Sequence, residues 1–167
     1  SWLDPVALVR EVAGIHEGVA VERGVHLALY EDRAATAIHA DPRKLKQVLA
    51  NLVQNALDAS PPDAEIALRV TGAADGGVGI EVVDHGPGLS AEVRGRLFTP
   101  GTTTKAAGSG LGLVIARAIV EQHGGSLVLS SADTGGCRAL MTLPQRPPEA
   151  PGPAAPSEEA AQPGDAP

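Results

Sequence analysis

The stretch from Asp41 to Pro62 leaves its backbone little choice. Asp41 followed by Pro42 is a helix-opening pair, a capping side chain and then a residue whose missing N–H costs nothing in the first turn. Leu45, Val48, Leu49, Leu52 and Ala56 recur at helical spacing, and Pro61 and Pro62 end the run. A helix through Ala59 with one buried face is therefore expected. Within its last third, NLVQNALDAS, the residues Asn51, Asn55 and Asp58 stand at i, i+4 and i+7 and form a polar stripe among apolar neighbours. Asn and Asp are weak helix formers, and a buried polar group without a partner costs about 1–3 kcal/mol. The stripe must face water or hold something.

The flanking pattern sets the architecture. Asp4 and Pro5 open another helix over about 5–22, and strands are expected at 25–31, 36–40, 65–72 and 78–86. A short helix near 90–97 and a Thr- and Gly-rich loop, FTPGTTTKAAGSG, come next. A helix from Leu111 to about His123 then stops at Gly124 and Gly125, and the strands SLVLSSA and CRALMTLP close the domain. Helices mixed with hairpin-like strands imply an α+β sheet covered on one face by helices. From Pro147 to Pro167 the chain holds seven of its 14 prolines and no Leu, Ile, Val or aromatic residue, so burial cannot offset its ordering entropy. One domain over 1–146 and a disordered Pro/Ala-rich tail over 147–167 are expected, and the abrupt opening helix reads as part of something longer.

Composition excludes several function classes. Trp2, Tyr30 and Phe98 are the only aromatic residues, so bases find no stacking platform. The net charge of −7, with only Lys44, Lys46 and Lys105 as lysines, speaks against nucleic acid. The lone Cys137 rules out an internal disulfide and a multi-cysteine metal site. No apolar run approaches the ~20 residues of a membrane span. A cytoplasmic, monomeric piece without direct membrane contact is expected.

Two glycine clusters carry chemistry. DHGPGLS places Asp84 at a strand end before Gly86 and Gly88, which allow close backbone approach. GSGLGL places Gly108, Gly110 and Gly112 at the mouth of a helix, where free amides and the dipole favour an anion. Either alone also fits an ordinary turn between a strand and a helix. GSGLGL lacks the Lys-Ser or Lys-Thr pair of a Walker loop and follows no expected strand directly, unlike a dinucleotide fingerprint.

The order of these segments, Asn stripe, Asp-x-Gly-x-Gly, LFTPGTTTK and GSGLGLVIARAIVEQHGG, resembles the ATP-binding catalytic domain of sensor histidine kinases. That family lies within the superfamily shared with DNA gyrase, mismatch-repair ATPases and heat-shock chaperones. The resemblance covers about residues 1–144 and implies a two-layer α/β sandwich, the Bergerat fold, with a mixed, mostly antiparallel sheet. It implies that ATP and Mg2+ are bound. Asn55 would ligate the magnesium ion, and Asn51 would lie one turn away at the phosphate end with a share in catalysis. Asp84 would accept from the adenine amino group, and Gly86 and Gly88 would close on the base. Gly108, Gly110, Leu111 and Gly112 would line the phosphates with backbone amides. Lys105 is a candidate phosphate contact and catalytic group on a lid, against the reading of a solvated loop lysine. Thr103 and Thr104 are lid residues, Phe98 a lid anchor, and Asp58 belongs to the same nucleotide-binding set.

Asn51 stands where hydrolysing relatives resemble one another in carrying a water-activating Glu, and an amide cannot serve as that base. HGG at 123–125 and GGCRALMTLP resemble the kinases, and NALDA with TTK resembles the nitrogen-regulation type. The sequence departs from the family pattern at Ala59, His85 and Ala139, where an aromatic, Asn and Phe are frequent. His16, His26, His39, His85 and His123 offer no convincing phosphoacceptor, and His26, His39 and His123 fit core or capping roles. The expected partners are therefore a histidine-containing dimerisation domain of the parent kinase and a response regulator. The alternatives are an ATPase clamp of the same superfamily and a degenerate kinase domain that docks regulators without ATP.

Overall fold

The computed structural model describes residues 1–86, 111–132 and 135–148. Its elements in chain order are β1 (Trp2–Leu3), α1 (Pro5–Arg23), β2 (His26–Arg33), β3 (Ile38–His39), α2 (Pro42–Ala59), β4 (Glu65–Gly72), β5 (Val78–Val83), α3 (Leu111–Gln122), β6 (Ser126–Ser131) and β7 (Cys137–Leu143). Five strands form one sheet in the order β2-β4-β5-β7-β6, and β1 and β3 form a separate two-stranded ribbon. β2 and β4 are parallel, joined by a crossover that contains α2, and every other neighbouring pair in the sheet is antiparallel.

Helices cover one face because the strands alternate. Ile66, Leu68 and Val70 of β4 are buried, as are Val78, Ile80 and Val82 of β5 and Ala139, Met141 and Leu143 of β7. Against them lie Val9 and Val12 of α1, Leu45, Val48, Leu49, Leu52 and Ala56 of α2, and Val120 of α3. The expected apolar face of α2 is thus wholly inside. On the opposite face of the sheet Tyr30, Arg69 and Glu81 stand side by side in register, and Leu140 and the exposed Val128 continue the row. Arg69 pairs with Asp32 at 3.0 Å and with Glu81 at 3.6 Å, and Glu81 also pairs with Arg138.

Both Asp-Pro openings act as read. Asp4 Oδ1 accepts from the Val6 and Ala7 amides, and Asp41 Oδ1 from those of Arg43 and Lys44. Gly24 and Gly124, with φ of 67° and 77°, terminate α1 and follow α3 in the left-handed conformation that glycine adopts without strain.

The strand boundaries differ from expectation in particular places. β2 runs on to Arg33, past a register shift between Glu31 and Arg33. The segment at 36–40 pairs only at Ile38 and His39, and its partner, Trp2–Leu3, was not anticipated as a strand. β5 ends at Val83 because the next residue, Asp84, turns its carboxylate onto the Gly86 amide. At the ribbon the Ala40 amide donates to Ser1 O, the His39 amide to Gln145 O, and the Arg146 guanidinium lies over the Trp2 ring. The short helix expected near 90–97 and the tail from residue 149 lie outside the described residues. Among the described residues, no helix is long and apolar enough to cross a membrane.

Candidate functional site

The polar stripe of α2 divides in two. Asn51 and Asn55, both half-buried, are joined by a hydrogen bond from Asn55 Nδ2 to Asn51 Oδ1 at 3.1 Å. Asp58, less than one turn further, reaches toward α1, where Arg23 Nη1 lies 2.6 Å from its Oδ1 and Gln54 Nε2 donates at 2.9 Å. Its side chain keeps 25% of its exposure, so this ion pair is largely an interhelical surface tie.

The start of α3 meets Asn51. A Cβ at Gly112 would lie 3.0 Å from Asn51 Cγ and 3.3 Å from Oδ1, with Nδ2 nearer still. Glycine at 112 therefore lets the helix mouth rest directly on the Asn51 amide. Here Gln47, Val48, Asn51, Gly112, Ile115 and Ala116 line a pocket of about 180 Å³ between α2 and α3. Backbone amides of a helix's first turn have no partner within the helix, so this end of the pocket offers donors to an anion.

The C-terminal end of α2 meets the turn that follows β5 and begins with Asp84. This carboxylate is only 6% exposed, yet its Oδ1 accepts from the Gly86 amide at 2.9 Å and the Cys137 amide at 3.0 Å. The Asp84 amide in turn donates to Cys137 O at 2.9 Å. Two charge-assisted bonds to one oxygen fix the carboxylate and leave Oδ2 as the atom with capacity for a further donor. Gly86 presses on the end of α2, since a Cβ there would lie 2.5 Å from Ala59 O. Asn51 and Ala59 are eight residues apart, so the two ends of the site are separated by roughly 12 Å along the helix.

The structure thus joins Asn51, Asn55 and Gly112 in the C-terminal half of α2 and brings Gly86, next to Asp84, onto its C-terminal end, with Asp58 turned to α1. Leu111 opens α3 beside Gly112. Gly88, Thr104, Lys105, Gly108 and Gly110, with Phe98 and Thr103, lie outside the described residues. Among the described residues, no group of three or more His, Cys, Asp or Glu could hold a metal, so an ion here would depend on neutral amide oxygen, water and its own anionic ligand.

Gly136 and Cys137 escaped the sequence reading. A Cβ at Gly136 would overlap the Asp84 carbonyl and lie 2.9 Å from His85 Cα, so only glycine lets β7 begin against the end of β5. The signal was the GG pair ahead of the last strand, read only as a likeness.

Residues 40–147 match the family described as "Histidine kinase-, DNA gyrase B-, and HSP90-like ATPase". Sensor histidine kinase ZraS of Klebsiella oxytoca is 42% identical over 125 residues, which are 75% of this chain and 27% of that protein. C4-dicarboxylate transport sensor protein DctS of Rhodobacter capsulatus is 39% identical over 148 residues, 85% of this chain and 22% of that one. This chain therefore spans about a quarter of the length of these relatives. Among solved structures, the nucleotide-free catalytic domain of histidine kinase ThkA superposes with a TM-score of 0.81 at 30% identity, covering 88% of this chain and 96% of that one. ThkA in complex with response regulator protein TrrA gives 0.77 at 27% identity, covering 88% and 42%.

Proposed function

The chain belongs to the histidine kinase-, DNA gyrase B- and HSP90-like ATPase family, and we propose that it is the ATP-binding catalytic domain of a two-component sensor histidine kinase. It binds Mg-ATP and presents the γ-phosphoryl group to a histidine on a separate dimerisation domain, from which a response regulator receives it. The observation that carries this reading is the two-ended site along α2, a fixed buried acid at one end and a helix mouth on an amide pair at the other.

Asp84 is suited to the adenine amino group. Its Oδ1 is held by two backbone amides, so Oδ2 meets a donor without reorganising. Gly86 brings the backbone close to the end of α2, where a base would lie. Asn51, Leu111 and Gly112 belong to the phosphate end. Asn55 fits the metal position, because its side chain carries a hard, neutral amide oxygen and its Nδ2 bond to Asn51 ties it to the phosphate end. A bound magnesium ion would neutralise phosphate charge. Lys105 and Thr104, with Gly88, Gly108 and Gly110, complete the proposed nucleotide set, and Lys105 would add positive charge at the transferring group. Positioning and electrostatics are the protein's share of phosphoryl transfer.

Transfer rather than hydrolysis is favoured by Asn51. Its amide is bonded to Asn55 and packed on Gly112, and it has no capacity to take a proton from water. The likeness to ThkA, solved with the response regulator TrrA, supports the same kind of downstream partner.

The test is calorimetric titration with a non-hydrolysable ATP analogue, with and without magnesium, beside Asp84→Asn and Asn55→Ala. Magnesium-dependent binding weakened by both substitutions is expected, and the chain incubated alone with labelled ATP should leave its own histidines unlabelled. Absence of binding at millimolar ligand would remove the nucleotide reading and favour an interaction module. Steady phosphate release by the chain alone would favour the ATPase clamp.

A further inference from the structure

The HGG run at 123–125 plays no part in the site above, yet its histidine is one of two polar residues buried among the described residues. His123 is 8% exposed and follows the last turn of α3. Its Nδ1 lies 2.8 Å from Ile119 O, and its Nε2 lies 3.1 Å from the Asp41 amide nitrogen. A backbone N–H can only donate, so Nε2 is the acceptor, and in the neutral ring Nδ1 carries the hydrogen that goes to the Ile119 carbonyl.

The Asp41 bond completes a helix cap. At an N-terminus the capping residue's own N–H is often taken by a Glu or Gln three residues on. In α2 that position is Lys44, which has no acceptor, and His123 supplies the missing acceptor from another helix. Turning the imidazole would break both of its bonds.

α2 and α3 run antiparallel and are joined at two places. At one end Gly112 rests on Asn51, and at the other His123 holds Asp41. The intervals match: ten residues of α2 and eleven of α3 correspond to about 15 and 16.5 Å. Between the joints Val48, Ala116 and Val120 are buried in the helix contact, and toward the site end a pocket of about 180 Å³, lined also by Gln47, Asn51 and Ile115, leaves that end less filled.

We propose that His123 is a positioning residue: it fixes the slide and tilt of α3 against α2 and so holds the Gly112 backbone on the Asn51 amide, without touching nucleotide. Its nucleotide arm rests on the function proposed above, whereas its structural arm does not.

The experiment compares the intact chain with His123→Leu, which fills the volume without an acceptor, and His123→Gln, whose amide can both accept and donate. Amide resonances of Asn51, Gly112 and Asp41 are recorded without nucleotide, and affinities are measured for adenosine and for the magnesium complex of a non-hydrolysable ATP analogue. His123→Leu should melt cooperatively, shift the Asn51 and Gly112 resonances, and weaken the triphosphate about tenfold, the worth of one such hydrogen bond. Adenosine affinity should stay unchanged, because the Asp84 end is anchored separately. His123→Gln should recover most of both effects. Unmoved Asn51 and Gly112 resonances in His123→Leu, equal losses for adenosine and triphosphate, or a glutamine variant no better than leucine would each overturn the proposal. Should His123→Leu not fold, His123→Asn, too short to span both partners, takes its place. If the unsubstituted chain binds no nucleotide, the function proposed above fails while the resonance shifts still decide the role of His123.

Discussion

Replacing Gly112 with alanine separates stability from function. The backbone at 112 is not in the left-handed region, so alanine is conformationally acceptable, and in a helix it is favoured over glycine by up to about 1 kcal/mol. The new methyl would meet the Asn51 amide, at 3.0 Å from Cγ and 3.3 Å from Oδ1 with Nδ2 nearer still. The far end of a side chain can rotate away, whereas backbone cannot. Asn51 would then lose its 3.1 Å bond from Asn55, worth about 1 kcal/mol, with up to about 1 kcal/mol of rotamer strain if it stops between wells. Gains and losses nearly cancel. Gly112→Ala should unfold within about 1 kcal/mol of the unsubstituted chain, a shift of a few degrees in melting temperature. The phosphate end would nevertheless be closed by the methyl and the displaced amide, and triphosphate affinity should fall at least about tenfold, the equivalent of 1.4 kcal/mol. Thermal unfolding and calorimetry on the same samples read the two effects. Adding Asn51→Ala should return any lost stability by removing the clash partner, a coupling that a double-mutant cycle measures. A fall of more than about 10 °C in melting temperature, or unchanged triphosphate affinity, would refute the reasoning.

Gly136→Ala should behave differently, because its new Cβ would meet backbone of Asp84 and His85. The ends of β5 and β7 must part, at about 1–3 kcal/mol, and the Asp84 carboxylate loses its fixed aim, so adenosine binding falls with triphosphate binding. A normal melting temperature would show that the close approach is relaxed at no cost. On the open sheet face, the Arg138 hydrogen bond, partly opposed by burial and assisted by charge from Arg138 and Arg69, holds the Glu81 carboxyl below its usual range. The folded state then favours the carboxylate. Its stabilisation is complete above the ordinary value of about 4.3 and is lost as pH falls through the lower folded value. Arg138→Gln should cost under about 1 kcal/mol at neutral pH, the pair being partly exposed, and should flatten the acid limb of the stability curve. Parallel acid limbs for the two proteins would exclude this pairing as their source.

What could be read in advance was local. The Asp-Pro caps, the apolar face of α2 and the alternation of EIALRVTG each depend on neighbours within a turn or a strand, and each lies where it was expected. The Asn51–Asn55 pair was legible because its four-residue spacing forces the side chains together. Asp58 shows the limit of such reasoning. Helical spacing sets the direction of its Cβ, but Arg23, 35 residues away in sequence, determines where the carboxylate goes. The clamp of Cys137 on Asp84 and the bond from Asp41 to His123 span 53 and 82 residues, and no periodicity reports contacts of that range. The early end of β5 is by contrast local, since the Asp84 side chain takes the backbone amide of Gly86 two residues on and turns the chain there.

The small ribbon at β3 has a mechanical consequence. Residues 1–3 lie on one side of it and Gln145 and Arg146 on the other, so the segments that lead into α1 and out of β7 share a single corner. A unit with its entrance and exit side by side can be transplanted between longer chains as a cassette, since no part of the core has to be threaded when the joints are cut and rejoined. Force applied through either joint acts at that corner, and the described sheet with α1, α2 and α3 would swing from it as one body while the site along α2 keeps its shape.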